Sequence, residues 1–268
     1  METRDPSDNP DMKIGRRTSS ILPLQIVIPM AGLGSRFARE GYLEPKPLIA
    51  VGHTPMIKVV IDNLRPSRPH RFVFICQKQH VATYDLRSAL SMWAPGCVII
   101  ELDGVTDGAA CTVLQAEEIV QDFPLMIANS DQYVDMNIDH YLEYGDADLD
   151  GFMMTMCADD PKWSYARTDA DGLVTEVAEK QVISNQATVG IYNFKRASDF
   201  SSNAHEMIDA ELRVNGEFYV APVYNLLIAK GGHVGVFDVG VAMHGLGTPS
   251  DLETFLSSSA SDRFRQPL

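Results

Sequence analysis

The stretch Ile28-Pro29-Met30-Ala31-Gly32-Leu33-Gly34-Ser35-Arg36-Phe37 decides how the chain is read. The apolar run over residues 25–29 has the makeup of a buried strand. Two glycines spaced two apart follow it, and a helix-like stretch begins behind them. Such a turn lets the backbone approach a chain of phosphates closely. Arg36 can then fork onto phosphate oxygens. The turn is not a dinucleotide fingerprint, because Phe37 stands where the third glycine belongs. Nor is it a Walker loop, since no Gly-Lys-Ser/Thr follows. Further on comes Pro45-Lys46-Pro47-Leu48. The flanking prolines stiffen the backbone around Lys46. A rigid lysine beside a triphosphate neutralises developing charge without reorganising.

Outward from this turn, strands alternate with helices. The patterns predict a helix over 54–64, with Thr54 as N-cap and Pro55 in the first helical position. A strand over 71–76, a helix over 81–92, a strand over 97–102, a helix over 109–120 and a strand over 125–128 follow. This rhythm argues for an α/β fold with a mostly parallel sheet covered on both faces. Ligands of such sheets bind beyond the carboxyl ends of strands, so the loops after Pro29, Leu102 and Ala128 are the places to search. From about Asp150 the rhythm changes. Strand-like runs at 151–158, 165–168, 174–177 and 188–194 are separated by turn signals such as Asp169-Ala170-Asp171-Gly172. Helical patterns return at 197–212 and 219–230. A strand over 234–238 and a helix over 250–256 close the pattern.

Composition bounds the partners. The chain has 268 residues and a formal net charge of −14. A nucleic-acid binder shows a basic surface, and an anionic membrane surface is disfavoured for the same reason. Phosphate ligands would need a local cationic pocket, backbone amides or a metal ion. Cys76, Cys97, Cys111 and Cys157 form no CxxC pair and lie beside apolar residues, as free thiols of a reducing cytosol do. The seven histidines show no pair at zinc-ligand spacing. Arg16-Arg17 precedes the apolar run 21–30, but Pro23, Gln25 and Pro29 interrupt it and it leads into the glycine turn, so it is not read as an export signal. No stretch is apolar enough to span a bilayer. The expectation is a cytoplasmic protein.

Strand, Gly-x-Gly-x-Arg-Phe and then Pro-Lys-Pro-Leu together resemble the nucleotide-sugar pyrophosphorylases, the NTP-transferase family. The resemblance runs from about Gln25 to Phe255. It implies a Rossmann-like nucleotide-binding fold, GT-A-like, with an inserted β-rich acceptor-binding section. It also implies an NTP and a phosphorylated small-molecule acceptor as substrates, and Mg²⁺ (or Mn²⁺) as cofactor. On this resemblance the nucleotide is met by Met30, Ala31, Gly32, Leu33, Gly34, Ser35, Arg36 and Lys46. The base loop Asp107-Gly108-Ala109-Ala110-Cys111-Thr112 supplies Asp107, Gly108, Ala109 and Thr112. The run 125–128 ends in Asn129-Ser130-Asp131, where Ser130 adjoins the nucleotide and Asp131 is the metal ligand, a position that suits a hard cation carrying phosphates.

The acceptor side is assigned likewise. Glu179-Lys180 resembles the family's pair in which the lysine meets the acceptor phosphate. Arg36, Lys46, Asp131 and Lys180 are thus the catalytic candidates. Gly190 lies in the strand under the acceptor, Glu217 and Tyr219 at a helix start lining the same pocket, and Trp163 and Tyr165 offer aromatic walls. One departure stands out. Many members carry a second metal-binding aspartate where this chain has Gly245, in Met243-His244-Gly245-Leu246-Gly247-Thr248-Pro249; Asp238 and His244 are weak substitutes. That ending, with Asn129-Ser130-Asp131-Gln132, resembles a branch in bacterial surface-polysaccharide (capsule) synthesis and inclines the base toward CTP. The expected layout is a leader over 1–20, one nucleotidyltransferase domain over 21–258 (nucleotide part about 21–150, acceptor part about 151–258) and a loose tail over 259–268. A homo-oligomer is compatible with it. A phosphorylated non-sugar acceptor, a nucleotide-sugar-dependent glycosyltransferase and a non-catalytic nucleotide-binding regulator stay open as other readings.

Overall fold

In the computed structural model, which describes residues 22–145 and 148–265, the opening apolar run forms strand β1 (Leu24–Met30). The glycine turn leads into helix α1 (Ser35–Arg39), and Lys46–Leu48 adds a single 3-10 turn. A small hairpin, β2 (Ala50–Val51) and β3 (Thr54–Pro55), precedes α2 (Met56–Leu64). Next come β4 (His70–Gln77), α3 (Lys78–Thr83), α4 (Leu86–Trp93) and β5 (Val98–Leu102). Helices α5 (Ala109–Leu114) and α6 (Glu117–Val120) lead to β6 (Leu125–Ala128), β7 (Gln132–Val134) and α7 (Ile138–Tyr144). The β-rich section holds β8 (Gly151–Cys157), β9 (Ser164–Thr168), β10 (Val174–Glu179) and β11 (Gln186–Phe194). Helices α8 (Ala197–Asp209) and α9 (Val223–Ala229), strands β12 (Val234–Asp238) and β13 (Met243–Gly245), and α10 (Pro249–Ser257) complete the fold.

Strands β5, β4, β1 and β6 run parallel, with Ile28 beside Phe74 and Val27 beside Ile127. Strand β11 then pairs antiparallel with β6, β8 antiparallel with β11, and β12 parallel with β8. The β9–β10 ribbon joins through Ala187 opposite Tyr165. This is the mixed, mostly parallel sheet expected of the chain.

Alternation along β1 divides the core. Ile26 and Ile28 face one layer with Ile57, Leu90 and Tyr141, while Val27 faces the other with Val113, Phe200 and Tyr224. Both faces are buried, so the strand reads as an unbroken apolar run. A third cluster joins Phe37, Val51, Met56, Tyr133, Leu246, Phe255 and Phe264. It fastens the helix after the glycine turn and the last strand-to-helix turn to the same end of the sheet.

Several boundaries differ from the sequence reading. Thr54 and Pro55 form a hairpin strand and α2 starts at Met56, without a side-chain cap. The helix expected over 81–92 breaks at Asp85, which takes a left-handed φ of 47°. The helix over 109–120 splits into α5 and α6, and that over 219–230 begins only at Val223. The tail is not loose through 264: Ser259–Phe264 form a 3-10 segment with Ser261 and Phe264 buried. Residues 266–268 and the leader over 1–20 lie outside the described residues.

Candidate active site

Two residues far apart in sequence meet at the carboxyl end of β6. Lys46 Nζ donates to Asp131 Oδ2 over 2.8 Å, and each side chain is about a quarter exposed (23% and 24%). The sheet order explains the meeting, because β1 and β6 are neighbours and their following loops emerge side by side. The Pro-Lys-Pro segment folds back onto the glycine turn, so that a Cβ on Gly34 would stand 3.1 Å from Lys46 Cβ. On the other flank β13 pairs with β7, and the Leu246 amide donates to Asp131 O over 2.8 Å. Gly247 leaves room for that carboxylate: a Cβ there would lie 2.6 Å from Asp131 Oδ2, which would have to shift.

A cavity of about 380 Å³ lies beside the glycine turn. Pro29, Ala31, Gly32 and Leu33 form one wall, and Val105, Thr106, Gly108, Ala109 and Thr112 the other. The Thr112 and Thr106 hydroxyls share a hydrogen bond of 2.6 Å, and both reach Gly108 O. The loop is tied to the segment after α8. Phe218 N donates to Asp107 O (2.8 Å), and Ala110 N donates to Phe218 O (3.0 Å).

A second cavity of about 430 Å³ adjoins the first, with Ala109 and Glu217 lining both. Arg36, Lys162 and Lys180 bring positive charge, and Glu179 and Glu217 negative charge. Trp163, Tyr192 and Tyr219 supply aromatic surface. Lys180 Nζ donates to the Tyr219 hydroxyl and lies 4.5 Å from the ring centroid. That hydrogen bond holds the Lys180 pKa above its ordinary value. Burial pushes the Glu179 carboxyl above the usual range, against the Ser164 hydroxyl that donates to it. The floor is a bulge in β11. Gly190 takes a φ of 81°, and its oxygen accepts from Asn129 N and Gln132 Nε2. A Cβ there would stand 2.1 Å from Asn129 Nδ2. Bulges of this kind redirect side chains beside active sites.

Residues 26–212 match the nucleotidyl transferase family. The chain belongs to that family. A search of curated proteins returned no sequence match. Among solved structures, the chain is similar to a nucleoside-diphosphate-sugar pyrophosphorylase from Vibrio cholerae RC9, at 26% identity and a TM-score of 0.73, over 87% of this chain and 100% of that one. It shares the fold of the inositol-1-phosphate CTP transferase from T. maritima, at 14% identity and a TM-score of 0.69, over 89% and 98%. It also shares that of a UDP-glucose pyrophosphorylase complexed with UDP-glucose, at 15% identity and 0.71, over 91% and 98%.

Within this nucleotidyl transferase most residues singled out by sequence converge. Lys46 touches Asp131, Ala31, Gly32, Leu33, Gly108, Ala109 and Thr112 share one cavity, and Arg36, Trp163, Glu179, Lys180, Gly190, Glu217 and Tyr219 share the other. Others fall outside. Tyr165, expected as an aromatic wall, is fully buried and donates to Asp160 O, so it packs and does not line the cavity. Met30 and Ser130 are buried, at 3% and 4% exposure. Ser35 is exposed as the first residue of α1. The Asp107 carboxylate pairs with Arg213 at 3.2 Å, and its backbone oxygen accepts from Phe218 N. Asn129, Lys162, Ser164, Thr188 and Tyr192 line the second cavity too, although the sequence reading did not name them as site residues. The strand-end run Asn129-Ser130-Asp131 was the signal for Asn129.

No cluster of three or more His, Cys, Asp or Glu side chains is placed to hold a metal among the described residues. Asp131 at a strand end still fits Mg²⁺, which binds through one or two carboxylates, waters and substrate phosphates. Of the weak substitutes, Asp238 caps its own turn by accepting from Gly240 N, and His244 packs on Tyr133 and Phe255. The carboxylate nearest Gly245 is Asp251, whose Cγ lies 3.5 Å from where a Cβ would stand; it accepts from the Thr248 hydroxyl. No helix among the described residues is long and apolar enough to cross a membrane.

Proposed function

We propose that the protein transfers a nucleoside monophosphate from an NTP to a sugar 1-phosphate and releases pyrophosphate. The contact between Lys46 and Asp131, at the strand end beside the glycine turn, carries this reading. Such a pair suits a polyphosphate held with a divalent cation. The resemblance of 87% of the chain to a nucleoside-diphosphate-sugar pyrophosphorylase supports a sugar phosphate as acceptor. Use of CTP, and a place in surface-polysaccharide precursor synthesis, belong to the same proposal and rest on the likeness of the 243–249 ending and of Asn129-Ser130-Asp131-Gln132.

In this mechanism residues of about 21–150 hold the nucleotide and those of about 151–258 the acceptor. The base sits in the cavity of Gly108 and Thr112, and the triphosphate runs along Gly32–Arg36. Asp131 would hold Mg²⁺, which supplies charge neutralisation at the phosphates. Lys180 binds the acceptor phosphate and aims one of its oxygens at the α-phosphorus, with Arg36 on the triphosphate beside it. That oxygen forms the new P–O bond as the bond to the β-phosphate breaks in line. A phosphomonoester is already anionic at neutral pH, so no general base is needed. Lys46 stabilises charge on the departing pyrophosphate. The rest is positioning.

The deciding experiment incubates the protein with each of the four NTPs and a panel of phosphorylated sugars and polyols in Mg²⁺, and measures pyrophosphate. Release with a sugar 1-phosphate is expected. Transfer only from a ready-made nucleotide sugar, with no pyrophosphate, would establish a glycosyltransferase instead.

A further inference from the structure

We propose that Gln77 is a positioning residue that sets the width of the nucleobase cavity. It is the last residue of β4, the strand lying between β1 and β5, and it stands opposite Leu102. Its side chain is buried. An amide nitrogen carries two hydrogens, and Gln77 Nε2 gives one to each neighbouring loop. It donates to Ala31 O in the glycine turn and to Gly104 O (2.9 Å) in the loop after β5. These loops are the two walls of the 380 Å³ cavity, Ala31–Leu33 on one side and Val105–Thr106 on the other. Among the described residues no other hydrogen bond joins the two walls. Gln77 itself does not line the cavity, so it acts on the base only through the backbone that it holds.

Two physical points single out the amide. A buried carbonyl stripped of its donor costs free energy comparable to a lost hydrogen bond. The walls belong to loops, which are free to shift unless something ties them. An apolar side chain of equal length would fill the space, orphan the carbonyl of buried Ala31 and leave the loop of exposed Gly104 untied. A carboxylate at neutral pH would face both carbonyls with no hydrogen to donate.

The inference rests on the nucleotide reading above, and its test does not require turnover. Gln77→Met and Gln77→Glu are compared with the wild type by calorimetric binding of each NTP with Mg²⁺, by KM for both substrates, and by melting temperature. Loss of two hydrogen bonds should weaken NTP binding by roughly 10- to 100-fold. The KM for the acceptor should move less than about threefold, and preference among the four bases should relax. Burial beside two carbonyl oxygens raises a carboxyl's pKa, so Gln77→Glu should recover part of its NTP affinity as pH falls from about 7.5 toward 5, where the protonated carboxyl regains one donor. NTP affinity within twofold of wild type in both variants overturns the proposal. So does an equal loss for both substrates that simply tracks a fall in melting temperature. A wild type that binds NTPs but releases no pyrophosphate overturns the proposed function and leaves Gln77 to be judged on binding.

Discussion

Gly108 lies flush against the backbone of Phe218. A Cβ on Gly108 would stand 2.4 Å from Phe218 O and 2.6 Å from Phe218 N, and Gly108 has a φ of 131°. Backbone cannot yield as a side chain end can, so Gly108→Ala must push its own loop off the segment carrying Glu217 and Tyr219. Clash and disallowed backbone together should cost about 2–4 kcal/mol. The expected result is a melting temperature lower by roughly 5–10 °C and an NTP KM raised tenfold or more. A variant that melts and binds as the wild type does would show that the two segments can part freely.

Lys46 and Asp131 offer a separation of function from stability. Partly exposed ion pairs contribute about 1 kcal/mol or less. Lys46→Met and Asp131→Asn should therefore fold and melt within about 3 °C of wild type, while pyrophosphate release falls by at least ~100-fold. Without nucleotide the two should part company. Lys46→Met frees a carboxylate and should bind Mn²⁺ more tightly than wild type by electron paramagnetic resonance, and Asp131→Asn should bind it more weakly. Equal Mn²⁺ affinity in all three proteins would remove Asp131 from the metal assignment.

That pair also marks how far the sequence could be read. The glycine turn, Asp131 and Glu179-Lys180 were legible because each follows or closes a strand-like run, Lys46 because prolines flank it, and the period of the runs gave the parallel sheet. Their contact was not legible: Lys46 and Asp131 are 85 residues apart, and only the sheet order brings them together. Strands β7 and β13 were missed because three residues show no alternation. Asp85 looks like an ordinary polar residue of a helix, yet its left-handed backbone breaks one. Tyr165 looked like a pocket wall because a single residue in a short strand does not reveal which face it takes. Gln77 was passed over as the polar end of an apolar run, since its two carbonyl partners come from loops on either side.

Glu179 links pH to stability. Burial, the largest influence, raises its carboxyl above the ordinary value of 4.5, and Glu217 adds to this. A raised acid pKa means the folded state holds its proton more tightly than the unfolded chain does. The stabilisation is present below the unfolded value and is lost as pH rises through the folded one. Wild type should thus lose stability above about pH 4.5, and Glu179→Gln should flatten that slope and melt somewhat higher at neutral pH. The same variant should lose about tenfold in kcat/KM for the acceptor if the carboxylate meets it. Melting curves from about pH 4 to pH 8 decide the first point; parallel profiles would show that burial leaves this carboxyl unperturbed.

Lys180 combines an unfavourable backbone with a useful direction. Its φ is 56°, a left-handed conformation that costs a residue with a Cβ about 1–2 kcal/mol. The surroundings impose it: Lys180 N donates to Trp163 O over 3.0 Å at the end of the β9–β10 ribbon. The turn carries the ammonium over Tyr219 and into the cavity shared with Arg36 and Glu179. Glycine suits such a backbone and alanine does not. Lys180→Gly should therefore melt about 2–4 °C above Lys180→Ala, a ranking opposite to that in ordinary strands. Both should lose turnover by about 100-fold or more and raise the acceptor KM, while NTP affinity holds. Equal melting of the two variants would mean that no strain is stored at Lys180, and surviving turnover would mean that the lysine does not meet the acceptor.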